Sequence, residues 1–197
     1  MNRQVFIKKL LMSVLSFSFL SFSAKKRDTC YTDSDVEGPF FRSGSPSRLN
    51  LSEGFKGRGK NLTVEGIIYG KDCKTPIENA LIEIWHANPE GNYDLTSDKY
   101  LFRGKIYTDK MGRYSFETLI PKGYKDGGLD RPKHIHYMIE ATGHQTLITQ
   151  LYFQGDEKLK NDPFVLQNKG YKRTKQLTPI SSNEFKIRFD IYLKSKI

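Results

Sequence analysis

The chain has 197 residues, 37% hydrophobic, 27% charged and 13% aromatic, with a formal net charge of +10. That length predicts one domain around a single core, and 11 tyrosines with 13 phenylalanines argue against disorder. Sixteen glycines and eight prolines exclude a collagen-like or low-complexity chain, and the longest apolar run is too short and serine-rich to span a bilayer as a helix.

The first segment reads as an export signal. Arg3, Lys8 and Lys9 precede an apolar stretch over 10–22, and Ser21-Phe22-Ser23 supplies the small residues of a cleavage site. Serines are scattered through the stretch rather than gathered on one helical face, which argues against a buried helix. Residues 1–23 are therefore expected to be removed, leaving 24–197 as one domain, secreted or periplasmic. Loss of three positive residues lowers the net charge to +7. The basic clusters Lys25-Lys26-Arg27 and Lys172-Arg173-Thr174-Lys175 lack interleaved aromatics, so no nucleic-acid partner is expected. They read as solvated surface that helps attract anionic substrates.

Two cysteines, Cys30 and Cys73, stand in the mature part. An even count in an oxidising compartment predicts a bridge. Asn50-Leu51-Ser52 and Asn61-Leu62-Thr63 fit the glycosylation pattern, which is common by chance.

Beyond residue 60 the chain reads as short strands over 62–69, 80–87, 102–108, 113–118, 134–141, 145–153 and 184–193. Turn sequences such as Asn88-Pro89-Glu90-Gly91-Asn92, Asp109-Lys110-Met111-Gly112 and Lys125-Asp126-Gly127-Gly128 separate them. With no convincing helix between the strands, the pattern predicts an all-β fold, an antiparallel β-sandwich with long loops. The polar stretch 156–182 reads as loop with one short helical turn. The segment 66–124, with Thr108-Asp109, Gly112, Tyr114, Phe116 and Pro121-Lys122-Gly123-Tyr124, resembles prealbumin-like sandwich modules of adhesins and carboxypeptidase accessory domains. A secreted binding module without catalysis is the non-enzyme reading.

Arg131-Pro132-Lys133-His134-Ile135-His136 points to chemistry. Residues i and i+2 of a strand share a face, so His134 and His136 project together while Ile135 points away. Two imidazoles on one face can hold a metal ion, although the pair by itself selects neither the metal nor the remaining ligands. His86 reads as a core or rim residue and His144 as a turn residue. Glu140 extends the spacing into the start of a cupin metal motif. No histidine follows His144, however, so the second half of such a motif is missing and Glu140 reads as a rim residue.

From Cys30 to Leu193 the chain resembles the intradiol ring-cleavage dioxygenases. The resemblance rests on Glu37-Gly38-Pro39-Phe40-Phe41, Ile84-Trp85-His86-Ala87-Asn88 with Gly91-Asn92-Tyr93, Gly112-Arg113-Tyr114-Ser115-Phe116, Pro121-Lys122-Gly123-Tyr124, Arg131 to His136, and 147–156. It implies one ferric ion, Fe(III), per chain, held by Tyr93, Tyr124, His134 and His136. Arg131 and Gln150 fall at active-site positions, and Tyr124 is implied both as ligand and as a base that leaves the metal. The partners implied are a catecholic small molecule and O2, with a muconate-type diacid as product. The span between Tyr93 and Tyr124 is shorter than in protocatechuate dioxygenases, and Lys125-Asp126 replaces a Trp-containing segment. A substituted or larger catechol is thus as compatible as protocatechuate. No segment like the N-terminal helical dimerisation domain of catechol dioxygenases is present, so a homo-oligomer remains open, the sheet edges needing cover.

Overall fold

In the computed structural model, which describes residues 30–196, alternating apolar residues build two five-stranded sheets that face each other. The strands are β1 (Asn61–Tyr69), β2 (Leu81–Trp85), β3 (Arg103–Tyr107), β4 (Arg113–Leu119), β5 (Lys125–Asp126), β6 (Leu129–Asp130), β7 (His134–Glu140), β8 (Leu147–Phe153), β9 (Thr174–Lys175), β10 (Thr178–Pro179), β11 (Glu184–Arg188) and β12 (Ile191–Tyr192). One sheet runs β10-β11-β1-β12 with β4 on the other side of β1; the second runs β3-β2-β7-β8-β9, and β5 and β6 form a separate hairpin. The expected signal over 1–23 lies outside the described residues.

The strand alternation explains the core. Leu62, Val64 and Ile68 of β1 and Phe116 of β4 meet Ile82 and Ile84 of β2, Ile135, Tyr137 and Ile139 of β7, and Leu151 of β8 between the sheets. All are at most 1% exposed. Burying each such side chain contributes about 1.5–3 kcal/mol, so the shared core fixes the strand register.

Most pairings are antiparallel as expected, but three run parallel: β1 with β11, β1 with β12, and β8 with β9. In each case the chain returns through a long connection or from the other sheet, and a crossover of that kind delivers a strand in the same direction. The stretch expected as one strand over 184–193 divides at Phe189-Asp190. There the Asp190 carboxylate accepts from Ile67 N at 2.9 Å, replacing a main-chain partner. The close approach requires Gly66, whose added Cβ would sit 2.1 Å from Phe189 O.

The polar stretch after β8 is more ordered than its composition suggests. It holds two 3-10 turns, Glu157–Lys160 and Gly170–Arg173, around a short helix, α1 (Pro163–Gln167). Asp162 caps α1 by accepting from Val165 N at 2.9 Å, with Pro163 at the first helical position. Nor does the turn sequence after Tyr124 merely connect: it forms the β5–β6 hairpin. Among the described residues no helix is long and apolar enough to cross a membrane.

Two further ties close the domain. Cys30 and Cys73 are disulfide-bonded, with Cα atoms 6.2 Å apart. The segment 46–51 lies along both β3 and β4, the end strands on one side of the sandwich. Lys105 N donates to Pro46 O at 3.0 Å, Glu117 N to Leu49 O at 2.7 Å, and Leu51 N to Glu117 O at 2.8 Å, while Leu51 itself is fully buried.

Candidate metal centre

Strand β7 is buried on both faces only at its first residues. Ile135, Tyr137 and Ile139 enter the core between the sheets, so His134 and His136 face the opposite way, on the outer face of the second sheet. Register then sets their neighbours. His136 stands opposite Trp85 on β2 and Gln150 on β8, His134 opposite Tyr152, and Trp85 opposite Arg103 on β3. Trp85 lies nearly parallel to the His136 ring at 4.8 Å and 8°.

Loops cover this end of the sheet and carry the tyrosines. Asn88 organises the first, its Oδ1 accepting from Glu90 N and Asn92 N at 2.9 Å. Lys122 N donates to Asn88 O at 3.2 Å, docking this turn on the segment that carries Tyr124. Gly123 is needed at the junction, because a Cβ there would lie 2.3 Å from Arg131 O. As a result the Tyr93 and Tyr124 rings stand perpendicular, centroids 5.4 Å apart. Phe40 of the N-terminal arm stacks on Tyr93 at 4.4 Å and meets Tyr124 edge-on at 5.5 Å.

The polar atoms converge. His134 Nδ1 lies 2.7 Å from Pro132 O. A carbonyl only accepts, so Nδ1 carries the hydrogen and Nε2 is left as a bare lone pair. That Nε2 is 3.1 Å from His136 Nε2 and 3.3 Å from the Tyr93 hydroxyl. The Tyr124 ring centroid lies 5.6 Å from that of His134. Burial, reinforced by Arg131, pushes His134 down to about 3, and burial reinforced by the neighbouring His134 pushes His136 well below its ordinary value, so both are neutral imidazoles near pH 7. Burial raises both tyrosines, and the Arg131 charge opposes that rise at Tyr124.

Two neutral imidazoles with the Tyr93 hydroxyl against them and the Tyr124 ring alongside suit a cation. Among the described residues no three His, Cys, Asp or Glu side chains gather to hold one, so further ligands here are tyrosine oxygens. Phenolate oxygen is a hard, anionic donor, which favours a small, highly charged ion such as ferric iron over a soft one. His134 also keeps the outer hydrogen bond that orients a ligating imidazole. The residues fit an iron site.

Beside this cluster Arg131 is 4% exposed. Its Nε donates to Asp162 Oδ2 at 2.6 Å and its Nη2 to Gln150 Oε1 at 3.1 Å, while its guanidinium rests 4.5 Å from the Phe164 ring. Gln150 is oriented by its own amide, which donates to Val36 O at 2.8 Å. Tyr152 donates to Asp35 Oδ2 at 2.8 Å, and Arg173 reaches the same oxygen at 2.7 Å. All six residues singled out in the sequence for metal or substrate thus come together.

Other expectations separate. His86 is a core residue whose ring nitrogens lie 2.8 Å from Ala87 O and 2.9 Å from Thr118 Oγ1. His144 sits in the turn after β7, beside Thr142 O. Glu140 is exposed at the opposite end of β7, paired across from Leu81, so no cupin arrangement forms. Sequence reasoning missed Asp162, Asp35, Tyr152 and Arg103. Of these Asp162 alone carried a local signal, an aspartate directly before a proline that starts a helix.

Comparison with known proteins decides the family. The family model described as "Dioxygenase" matches residues 36–195. This chain belongs to the intradiol ring-cleavage dioxygenase family. It is 36% identical over 151 residues to catechol 1,2-dioxygenase 2 of Acinetobacter lwoffii, a match covering 66% of this chain and 54% of that one. With the chlorocatechol 1,2-dioxygenase of Rhodococcus opacus the identity is 35% over 156 residues, covering 67% and 60%. The chain therefore spans little more than half the length of these relatives. Among solved structures, the dioxygenase domain of a dioxygenase–carbohydrate-binding fusion protein from Streptomyces sp. SirexAA-E aligns with TM-score 0.72 and 31% identity, covering 84% of this chain and 99% of that one. The 3-chlorocatechol 1,2-dioxygenase of Rhodococcus opacus 1CP aligns with TM-score 0.76 and 26% identity, covering 84% and 73%.

Proposed function

We propose that this protein is a non-haem Fe(III) intradiol dioxygenase, one iron per chain, that uses O2 to open the ring of a catecholic substrate between its two hydroxyl-bearing carbons and releases a muconate-type diacid. One observation carries the reading. Two buried, neutral imidazoles aim their Nε2 atoms at one point 3.1 Å apart, with the Tyr93 hydroxyl 3.3 Å from one of them. A sandwich module that only binds a partner has no use for two buried imidazoles set nitrogen to nitrogen, one of which leaves its Nδ1 without a hydrogen-bond partner among the described residues at a cost of about 1–3 kcal/mol. Relatives named for catechol, chlorocatechol and hydroxyquinol support the substrate class.

Tyr93, Tyr124, His134 and His136 would hold the metal. Iron(III), when bound, would supply the Lewis acidity and electron withdrawal that make a catechol ring reactive toward O2. The protein's residues do the rest. Tyr93 is anchored by the Asn88 turn behind it and would serve as the permanent anionic ligand. Tyr124 stands at the base of the exposed β5–β6 hairpin and beside Arg131, so its oxygen would be placed to take one catechol proton. Arg131, clamped by Asp162, presents a fixed positive charge to the anion that develops as the ring opens. Gln150 holds Arg131 in line, and Phe40 narrows the space above the two tyrosines.

The reading includes export: the signal-like segment 1–23 and the Cys30–Cys73 bridge both suit an oxidising compartment. Iron content, colour and O2 uptake of the purified protein test the function. Equimolar iron, a red-brown colour and stoichiometric O2 consumption with a catechol are expected. A colourless protein that takes up no iron would overturn the reading in favour of the binding module.

A further inference from the structure

Among the described residues three arginines are almost wholly buried, at 1–4% exposure, and two of them are neutralised. Arg131 pairs with Asp162 at 2.6 Å and Arg173 with Asp35 at 2.7 Å. Arg103 is different. Its Nε donates to Asp94 O at 2.8 Å, but Nη1 and Nη2 are buried with no hydrogen-bond partner among the described residues. The nearby Asp94 carboxylate is already occupied: it accepts from Ser97 N at 2.9 Å, Leu101 N at 2.8 Å and the Ser97 hydroxyl at 2.5 Å. A guanidinium buried without a hydrogen-bonded anion is retained only where something further offsets its charge.

The group in front of it is Tyr93. The Arg103 Cζ lies 5.9 Å from the Tyr93 ring centroid, on the side of the sheet that carries Trp85 and His136. As a phenol Tyr93 is neutral and leaves the arginine with only the nearby Asp94 carboxylate, whose oxygens are bonded elsewhere, to offset its charge. As a metal-bound phenolate it spreads negative charge over its oxygen and ring, and a cation against the ring stabilises that anion. Arg103 cannot turn away to water, because the Nε bond and its pairing opposite Trp85 hold it.

We propose that Arg103 is the built-in counter-charge of the Tyr93 phenolate, a positioning residue that acts on the iron through its ligand and never touches substrate. The proposal rests on the dioxygenase reading above. It predicts opposite consequences in the two forms of the protein. Without metal the arginine is a liability; with metal it strengthens the site.

The test compares wild type with Arg103→Met and Arg103→Lys, each prepared iron-free and iron-loaded. Iron-free Arg103→Met should melt no lower than the iron-free wild type, because an apolar chain of similar length replaces a buried charge that no anion hydrogen-bonds. Loaded with iron, it should bind the metal about tenfold or more weakly in chelator competition, the usual effect of losing an outer-sphere partner. Its phenolate-to-iron absorption band should move to lower energy, since the phenolate is no longer held down by the cation. Arg103→Lys keeps the charge and should bring the band back toward wild type. Unchanged iron affinity and band position in Arg103→Met would overturn the proposal, as would an iron-free variant that fails to fold or melts as far below wild type as the loaded one. A wild type that takes up no iron overturns the dioxygenase reading itself; an iron-loaded wild type with an indifferent Arg103→Met overturns this proposal alone.

Discussion

The Arg131–Asp162 pair offers the sharpest quantitative test of the site. Its charged atoms are 2.6 Å apart, and the two side chains are 5% and 1% exposed, so water screens them little. Replacing Asp162 by Asn keeps a capping side chain for α1 but strands the Arg131 charge in a buried setting. Removal of one partner from such a pair typically costs about 3–5 kcal/mol. For a domain of this size that is a fall of roughly 6–20 °C in melting temperature, at about 2–4 °C per kcal/mol. Arg131→Met strands the opposite charge, although the Val165 amide still donates to Asp162 and softens the loss. The double variant carries neither charge. Its destabilisation should therefore fall short of the sum of the singles by about 2 kcal/mol or more. Urea unfolding of the four iron-free proteins at pH 7, followed by circular dichroism, measures the cycle. Effects that add to within about 0.5 kcal/mol would refute the coupling on which the placement of Arg131 depends. In the loaded enzyme Arg131→Met should keep iron and colour while losing roughly 10²–10³ in turnover, the usual cost of one electrostatic donor.

Other expectations are simpler to check. Tyr93→Phe should lose iron and the phenolate band at rest, whereas Tyr124→Phe should keep iron and part of the band and fail chiefly on substrate binding, recovering as pH rises; equal behaviour in resting spectra and pH–rate profiles would end the division of roles. His86 is pushed down to about 4 by burial, so the unfolded chain takes up its proton first, and stability present above pH 6.5 should be lost by about 3 kcal/mol as pH falls to 4. His86→Gln should remove that share of the slope and leave the part contributed by His134 and His136, and an unchanged slope would refute the assignment. Replacing both Cys30 and Cys73 by Ser frees a separation of 43 residues and should cost about 4 kcal/mol in the chain-entropy view, read by denaturant titration against the oxidised protein.

How much of this was legible beforehand differs from one residue to the next. The parity of His134, Ile135 and His136 sent the histidines to one face and Ile135 to the core, because strand alternation is a local rule. The strands over 62–69, 113–118 and 134–141 were visible for the same reason, and their ends shifted by a residue or so. Tyr93 and Tyr124 followed from the family resemblance alone. Both sit in loops, where no period marks one tyrosine out of eleven. The partners of Arg131 and Arg173 lie 31 and 138 residues away along the chain, so their pairing is a property of the folded arrangement. The break at Asp190 was hidden in a run that alternates well enough to pass for one strand.

The segment 46–51 along β3 and β4 also governs how copies of this protein can meet. A sheet edge with free amides and carbonyls invites an extended strand from another molecule. Here main-chain groups of Lys105 and Glu117 on those two strands already bond to Pro46, Arg48, Leu49 and Leu51 of the same chain. An intruding strand would first have to peel away a stretch whose Leu51 is sunk in the core. On the far side β9 and β10 are only two residues long and provide a poor template. Self-association along the β3–β4 side must therefore proceed through side-chain surfaces rather than by extending a sheet, which guards the protein against edge-to-edge aggregation at high local concentration.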